Sequence, residues 1–154
     1  MEAEKSKEIR LEALFPIMEA TLAAGKSVHF SPRGISMLPM LHQGVDTVTL
    51  SPLPDMLRKY DLPLYRRDDG HFVLHRIVRA GDTYTCCGDN QYVYESGLRR
   101  DQMLALVTAF THKGKTVPVT HPGYRLYCIL WCASRPARHF LSRVRGKLRR
   151  MLRR

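Results

Sequence analysis

Three short segments carry the side chains whose types and spacing could support chemistry. They are G-I-S-M-L-P-M at residues 34–40, F-V-L-H-R-I-V at residues 72–78, and C-G-D-N-Q at residues 87–91. A serine hydroxyl is a weak nucleophile that needs a neighbouring base, and an imidazole can accept and return a proton near neutral pH. The pattern predicts Ser36 as nucleophile, His75 as general base and Asp89 as the acid that orients the imidazole.

Each of these roles has a competing interpretation. A serine beside glycine, or an aspartate in Gly-Asp-Asn, is also ordinary turn chemistry. His71 lies four residues before His75 on the same face of the predicted strand, so it is an alternative base. Asp82 is an alternative to Asp89 as the orienting acid, and the sequence leaves this choice open.

The order of the three segments resembles the signal peptidase I clan of serine peptidases. That clan has its nucleophile in an S-M-x-P box, here at Ser36, and a base directly before Arg in a hydrophobic strand, here at His75. Histidine at that point is the archaeal and endoplasmic-reticulum form, which is completed by the aspartate of a G-D-N box, here Asp89. The resemblance covers about residues 27 to 118. It implies a serine endopeptidase that cleaves a leader or signal segment through an acyl-enzyme, without a metal or organic cofactor.

The resemblance also implies how a substrate is held. An extended peptide or protein segment would lie beside an edge strand and contact Gly34, Ile35, Met37 and Pro39 around the nucleophile. Because Gly34 stands where bacterial members often have a hydroxyl, backbone N–H groups would stabilise the oxyanion. Two other functions remain open: a non-catalytic peptide- or membrane-binding module, and a self-cleaving LexA-like relative, although LexA-like proteins use Lys as the base.

The elements that must position these residues form a mainly β, β-rich α+β fold. Short runs separated by Gly, Pro and Asp predict a coiled antiparallel β domain over residues 27–121. An amphipathic helix, interrupted by Pro16 and capped by Gly25, is predicted over residues 1–26. Residues 122–154 predict a basic amphipathic helical tail. The predicted strands cover residues 28–30, 47–50, 62–65, 72–78, 83–87, 103–111 and 114–119.

The charge of the chain is concentrated at its C-terminal end. The formal net charge is +11, and residues 135–154 contain nine Lys or Arg and no acidic residue. This distribution predicts an anionic membrane surface as the partner of the tail, and no nucleic acid, because the basic residues that follow Phe140 have no aromatic residue among them to stack on bases. The charged N-terminus and the lack of a long apolar run predict no signal peptide, membrane anchor or spanning segment. We therefore expect a cytoplasmic protein that associates peripherally with the inner face of the membrane.

Overall fold

The protein is an α+β structure of antiparallel sheets between helices. The computed structural model describes residues 11–151. An N-terminal helix precedes nine strands, and two helices follow them. The helices are α1 (Leu11–Ala23), α2 (Pro122–Ala133) and α3 (Arg135–Met151), and a short 3₁₀ turn covers Arg100–Gln102. The strands are β1 (Val28–Phe30), β2 (Thr47–Ser51), β3 (Pro63–Arg66), β4 (Phe72–Leu74), β5 (Arg76–Ala80), β6 (Tyr84–Cys87), β7 (Glu95–Leu98), β8 (Met103–His112) and β9 (Lys115–Pro118).

The predicted N-terminal helix is present where the structure describes it. Its first ten residues, including Ile9, lie outside the described residues. Pro16 is inside α1 and does not split it into two helices. Gly25 ends the helix as expected: its φ is +74°, its N–H donates to the carbonyl of Leu22, and the N–H of Lys26 donates to Thr21.

The strands form two antiparallel sheets, and no closed barrel forms among the described residues. One sheet has the order β1-β2-β8-β3-β4, with β9 also paired to β8, and the other has the order β5-β6-β7. The run 72–78, predicted as one strand, is broken at His75, where the chain leaves β4 in the first sheet and enters β5 in the second. β7 was not predicted, because Glu95–Leu98 has neither apolar alternation nor β-branched residues.

Two apolar clusters hold these layers together. Met18 and Leu22 of α1 pack with Val48 and Leu50 of the first sheet, so the helix covers one face of that sheet. Tyr65 of the first sheet belongs to a second cluster that includes residues of β5 and β6. Burial of each large apolar side chain contributes about 1.5–3 kcal/mol, so both sheets are anchored around the residues that connect them.

The C-terminal region forms two helices where the sequence predicted a single helical tail. Pro122 stands in the first turn of α2, and the ring of His121 accepts a hydrogen bond from the N–H of Gly123. α2 ends at Ala133 with Ser134 as its C-cap, and Pro136 stands in the first turn of α3, where its missing N–H interrupts no helical hydrogen bond. α2 therefore packs as a separate element while α3 extends beyond it.

Candidate active site

Ser36 lies in a turn that is held from outside by the Gly88–Asn90 segment. The backbone N–H of Asn90 donates to the carbonyl of Ser36 at 2.8 Å, and the side-chain amide of Asn90 donates to the carbonyl of Ile35 at 3.1 Å. Gly34, which begins the turn, has a φ of +87°, a conformation that favours glycine. Ser36 itself is half-buried, so its hydroxyl is held at the protein surface by a fixed backbone.

His75 lies at the point where the chain passes from one sheet to the other. Its side chain is buried, and Nδ1 lies 3.0 Å from Oε1 of Glu95 and 3.3 Å from the hydroxyl of Tyr65. Among residues 11–151, Nε2 has no hydrogen-bond partner. When Nδ1–H donates to the carboxylate, Nε2 keeps its lone pair and can accept a proton.

Glu95 is the acid that contacts the imidazole, and the sequence analysis did not identify it. Its two oxygens accept hydrogen bonds from Nη2 and Nε of Arg67 at 2.6 and 2.7 Å. Burial raises the pKa of Glu95, but the hydrogen bonds and positive charge of Arg67, together with smaller effects of Tyr65 and His75, lower it further, and the net pKa lies below its ordinary value. Glu95 is therefore an ionised carboxylate held by a bidentate arginine.

The same surroundings keep the imidazole neutral. Burial lowers the pKa of His75, the negative charge of Glu95 raises it, and Arg67 lowers it again, so that the net pKa lies below the ordinary value of 6.5. At neutral pH the ring is thus in the form that accepts a proton. Asp89 raises this pKa only as a distant charge.

Gly88 brings the serine turn and the histidine together. A β-carbon on residue 88 would lie 2.6 Å from the carbonyl oxygen of Ser36 and 3.1 Å from Nε2 of His75. The side chains of Ser36 and His75 line one cavity of about 240 Å³, together with residues of the edge strand β4. Within the described residues the Ser36 hydroxyl makes no hydrogen bond. The assigned roles predict an approach of Ser36 to His75 of about 3 Å, or somewhat more in a ligand-free form, and a direct hydrogen bond between them is not formed in this structure.

Asp89 does not occupy the position that the sequence analysis gave it. Its carboxylate is fully buried and accepts hydrogen bonds from Nε and Nη2 of Arg76 at 2.8 and 2.7 Å. The hydroxyl of Tyr127 also donates to it at 3.0 Å. Burial of an unpaired carboxylate is costly, and Arg76, itself fully buried, supplies the opposite charge that stabilises Asp89 in this position.

The C-terminal helices hold the segment that carries Gly88. The indole N–H of Trp131 donates to the carbonyl of Asp89 at 2.9 Å. The guanidinium groups of Arg135 and Arg138 donate to the carbonyls of Gly88 and Asp89, each at 3.3 Å. Part of the region predicted as a separate tail therefore supports the candidate site.

The alternative site residues lie elsewhere. His71 is exposed in the β3–β4 hairpin, where its Nδ1 lies 3.1 Å from Asp69. Asp82 is exposed in the β5–β6 turn. His75 rather than His71 thus faces the cavity that Ser36 lines.

Two of the four predicted substrate contacts line the cavity. Gly34 and Met37 do so, whereas Pro39 lines a separate groove beside α3. Ile35 is 67% exposed and lines neither. An apolar side chain this exposed, next to a candidate nucleophile, is available for contact with a bound chain.

The four cysteines are free, and three of them are buried. Burial raises the pKa of the Cys86 thiol to about 12, and it also raises the pKa of Cys87 and Cys128. These thiols are therefore protonated and unreactive at neutral pH.

Comparison of the chain with models of known protein families, with curated proteins and with solved structures finds no match in any of the three. Among the helices of residues 11–151, none has both the length and the apolar character needed to cross a lipid bilayer. The fold and the geometry of the candidate site are therefore the basis for assigning a function.

Proposed function

We propose that this protein is a serine endopeptidase of the signal-peptidase type that cleaves a leader or signal segment from a peptide or protein. The observation that carries the proposal is the hydrogen bonding of the two ring nitrogens of His75. Glu95 holds Nδ1, and the unpartnered Nε2 belongs to a side chain that borders the same cavity as Ser36. A nucleophile, a base and an acid that orients the base are the parts that such a reaction needs.

The reaction begins when the Ser36 hydroxyl attacks the scissile carbonyl while Nε2 of His75 takes its proton. The oxyanion of the tetrahedral intermediate accepts hydrogen bonds from backbone N–H groups of the serine turn. The imidazolium returns the proton to the leaving amine, and an acyl-enzyme remains. Water, deprotonated by His75, then attacks the acyl group and releases it as a carboxylic acid, which ionises, while the imidazolium returns its proton to the Ser36 oxygen. Glu95 stabilises the imidazolium during both steps.

Formation of the Ser36–His75 hydrogen bond accompanies substrate binding in this proposal. Catalytic hydrogen bonds are often long in ligand-free enzymes and shorten in the substrate complex. Ser36 is half-buried and its hydroxyl has no competing partner among the described residues. Rotation of this side chain toward Nε2 therefore breaks no existing hydrogen bond.

The substrate binds in extended form along β4. Among residues 11–151 this strand pairs only with β3, so one of its edges is free to pair with another chain. Phe72, Val73 and Leu74 of β4 form one wall of the cavity, and residues 32–34 and 36–37 form another. A peptide added to β4 would therefore run past Ser36.

We further propose that the protein binds the cytoplasmic surface of an anionic membrane through α2 and α3. α3 carries six Lys or Arg residues between positions 138 and 150, and each basic residue near an anionic surface contributes about 1 kcal/mol. Large apolar side chains are exposed on the same two helices, which is typical of helices that lie in a membrane interface. These are Leu126, Ile129, Leu130, Phe140, Leu141, Val144, Leu148 and Met151.

The peptidase proposal is tested by incubating the purified protein with a library of leader-like peptides and identifying the products by mass spectrometry. Cleavage should be lost in Ser36→Ala and in His75→Ala. His71→Ala is the matched control, because it removes an exposed histidine of the neighbouring hairpin and should leave cleavage unchanged. Cleavage that persists in both active-site variants would rule out the mechanism.

Two other results would favour the alternative functions. Peptide binding without cleavage by any preparation would favour a non-catalytic module on this fold. Cleavage confined to the protein's own chain would favour a self-cleaving relative.

The membrane proposal is tested by sedimentation with vesicles. Binding should require anionic phospholipid and weaken as salt is raised, because salt screens surface charge. Phe140→Asp should reduce binding without unfolding the protein, because Phe140 is 68% exposed. Equal binding to neutral vesicles would contradict the electrostatic part of the proposal.

A further inference from the structure

A second cluster of chemically versatile side chains lies away from Ser36 and His75. It consists of His42, Asp46 and His112, whose potential ligand atoms all lie within 4.8 Å of one another. Nδ1 of His42 is 3.3 Å from Oδ2 of Asp46, and Nδ1 of His112 is 2.5 Å from Oδ1. The two imidazoles thus present the same ring nitrogen to the two oxygens of one carboxylate.

The backbone explains how these residues meet. His42 and Asp46 face each other across a tight turn, in which the N–H groups of Val45 and Asp46 donate to the carbonyl of His42. Gly44, with a φ of +73°, allows the turn. Asp46 directly precedes β2, whose first residue Thr47 pairs with Thr111, so Asp46 comes opposite His112 at the end of β8.

The charge balance of Asp46 differs from that of the other buried aspartate. Its side chain is fully buried, yet within residues 11–151 its only ion-pair partners are His42 and His112. Asp89, by contrast, has a permanent guanidinium partner in Arg76.

We infer that His42, Asp46 and His112 bind a divalent transition cation of the Zn²⁺ type. Two imidazole nitrogens and one carboxylate oxygen are a donor set that Zn²⁺, Co²⁺ and Ni²⁺ prefer, whereas Mg²⁺ and Ca²⁺ prefer oxygen ligands. Oδ2 keeps its hydrogen bond from the His42 backbone N–H at 2.7 Å while Oδ1 coordinates the cation. The imidazoles are 46% and 41% exposed, so they can move apart to admit the ion, and water completes the coordination.

The cation would connect two parts of the chain that are far apart in sequence. His42 and Asp46 follow the serine turn, in which the N–H of Leu41 donates to the carbonyl of Met37 at 3.0 Å. His112 ends the longest strand of the first sheet. Bound metal therefore stabilises the segment that carries Ser36 against β8. The inference does not depend on peptidase activity.

The test uses the full-length, untagged protein after treatment with a chelator and with its thiols kept reduced. Zn²⁺ is titrated by calorimetry, thermal unfolding is recorded with Zn²⁺ and with Mg²⁺, and Co²⁺ binding is followed by visible absorption. At a Zn²⁺ concentration about 100 times Kd, Tm should rise by about 5–10 °C, and Mg²⁺ should produce no comparable rise.

Three variants identify the ligands. His42→Gln and His112→Gln should each weaken Zn²⁺ binding by at least about tenfold. Loss of a residue that only supports a metal ligand typically weakens metal binding by about 10- to 100-fold, and loss of a ligand itself should weaken it at least as much. His29→Gln is the control, because it removes an exposed histidine of β1 and should bind as the unaltered protein does. A protein that shows no Zn²⁺-dependent rise in Tm overturns the inference. Equal Zn²⁺ affinity in all three variants also overturns it.

Discussion

Substitution of Gly88 by alanine tests the geometry that brings Ser36 and His75 together. The added β-carbon would lie 2.6 Å from the carbonyl oxygen of Ser36, and real β-carbons essentially never come within 3.0 Å of such an atom. It would also lie 3.1 Å from Oε1 of Gln91 and from Nε2 of His75. The serine turn or the 88–90 segment must therefore move by about 0.4 Å to reach 3.0 Å and by about 0.8 Å to reach ordinary contact.

That displacement has separate consequences for activity and stability. Misplacement of a reacting group by about 1 Å can reduce a rate by about 100-fold, so we expect Gly88→Ala to lower kcat/KM by about 10- to 100-fold. Overpacking of a close contact costs about 1–3 kcal/mol, which corresponds to a decrease in Tm of about 2–12 °C for a chain of this size. The protein should remain folded while it loses most of its activity.

The assay measures cleavage of one identified peptide and thermal unfolding on the same preparations. Gly81→Ala is the matched control, because its β-carbon would meet nothing closer than a carbonyl at 3.9 Å and its φ is not positive. The control should cleave at the rate of the unaltered protein. If Gly88→Ala has unaltered kcat/KM and Tm, the close approach of Ser36 and His75 at Gly88 is wrong.

Three further predictions follow from the same contacts. Glu95→Gln should reduce kcat/KM by about 10²- to 10⁴-fold, because the amide no longer stabilises an imidazolium at His75. An unchanged kcat/KM would show that Glu95 does not orient the imidazole of His75. The acid limb of the pH–rate profile should lie below pH 6.5, because the pKa of His75 is lowered, and a midpoint above 6.5 would contradict this. The unfolded imidazole then binds its proton at a higher pH than the folded one, so His75 decreases the free energy of unfolding as pH falls below about 6.5. Asp89→Asn should lower the free energy of unfolding in urea by about 3–5 kcal/mol, because Arg76 is left buried without its partner, and a loss under 1 kcal/mol would refute the pairing.

Much of the fold could be predicted because its elements follow local rules. Val28–Phe30 matches its predicted strand, and the ends of β2, β3 and β6 differ from prediction by one residue. β1 and β2 alternate apolar and polar residues between turn signals. The break at His75 could not be predicted, because residues 72–78 have the pattern of one continuous strand and only the packing of the two sheets decides where the chain crosses between them.

The candidate site was predicted less completely, because carboxylates of similar chemistry cannot be assigned to partners from spacing alone. Ser36 and His75 stand in recognisable sequence contexts, and the structure places both at one cavity. Glu95 lies in a stretch with no pattern of its own, and its role depends on pairing between β6 and β7, where Glu95 is opposite Cys86. A polar residue at the start of an unpredicted strand carries no sequence signal for an active site.

The Arg76–Asp89 ion pair explains why the H-R and G-D-N segments belong together even though Asp89 does not contact His75. Arg76 directly follows His75, and Asp89 directly follows Gly88, so the pair fixes the separation of the imidazole and the glycine. Gly88 and Asn90 in turn fix the backbone of Ser36. Because α2 also contacts Asp89 through Tyr127 and Trp131, the aspartate joins the proposed base, the proposed nucleophile and the C-terminal helices. In the proposed mechanism Asp89 thus contributes to the geometry of the site through its ion pair, while Glu95 orients the imidazole.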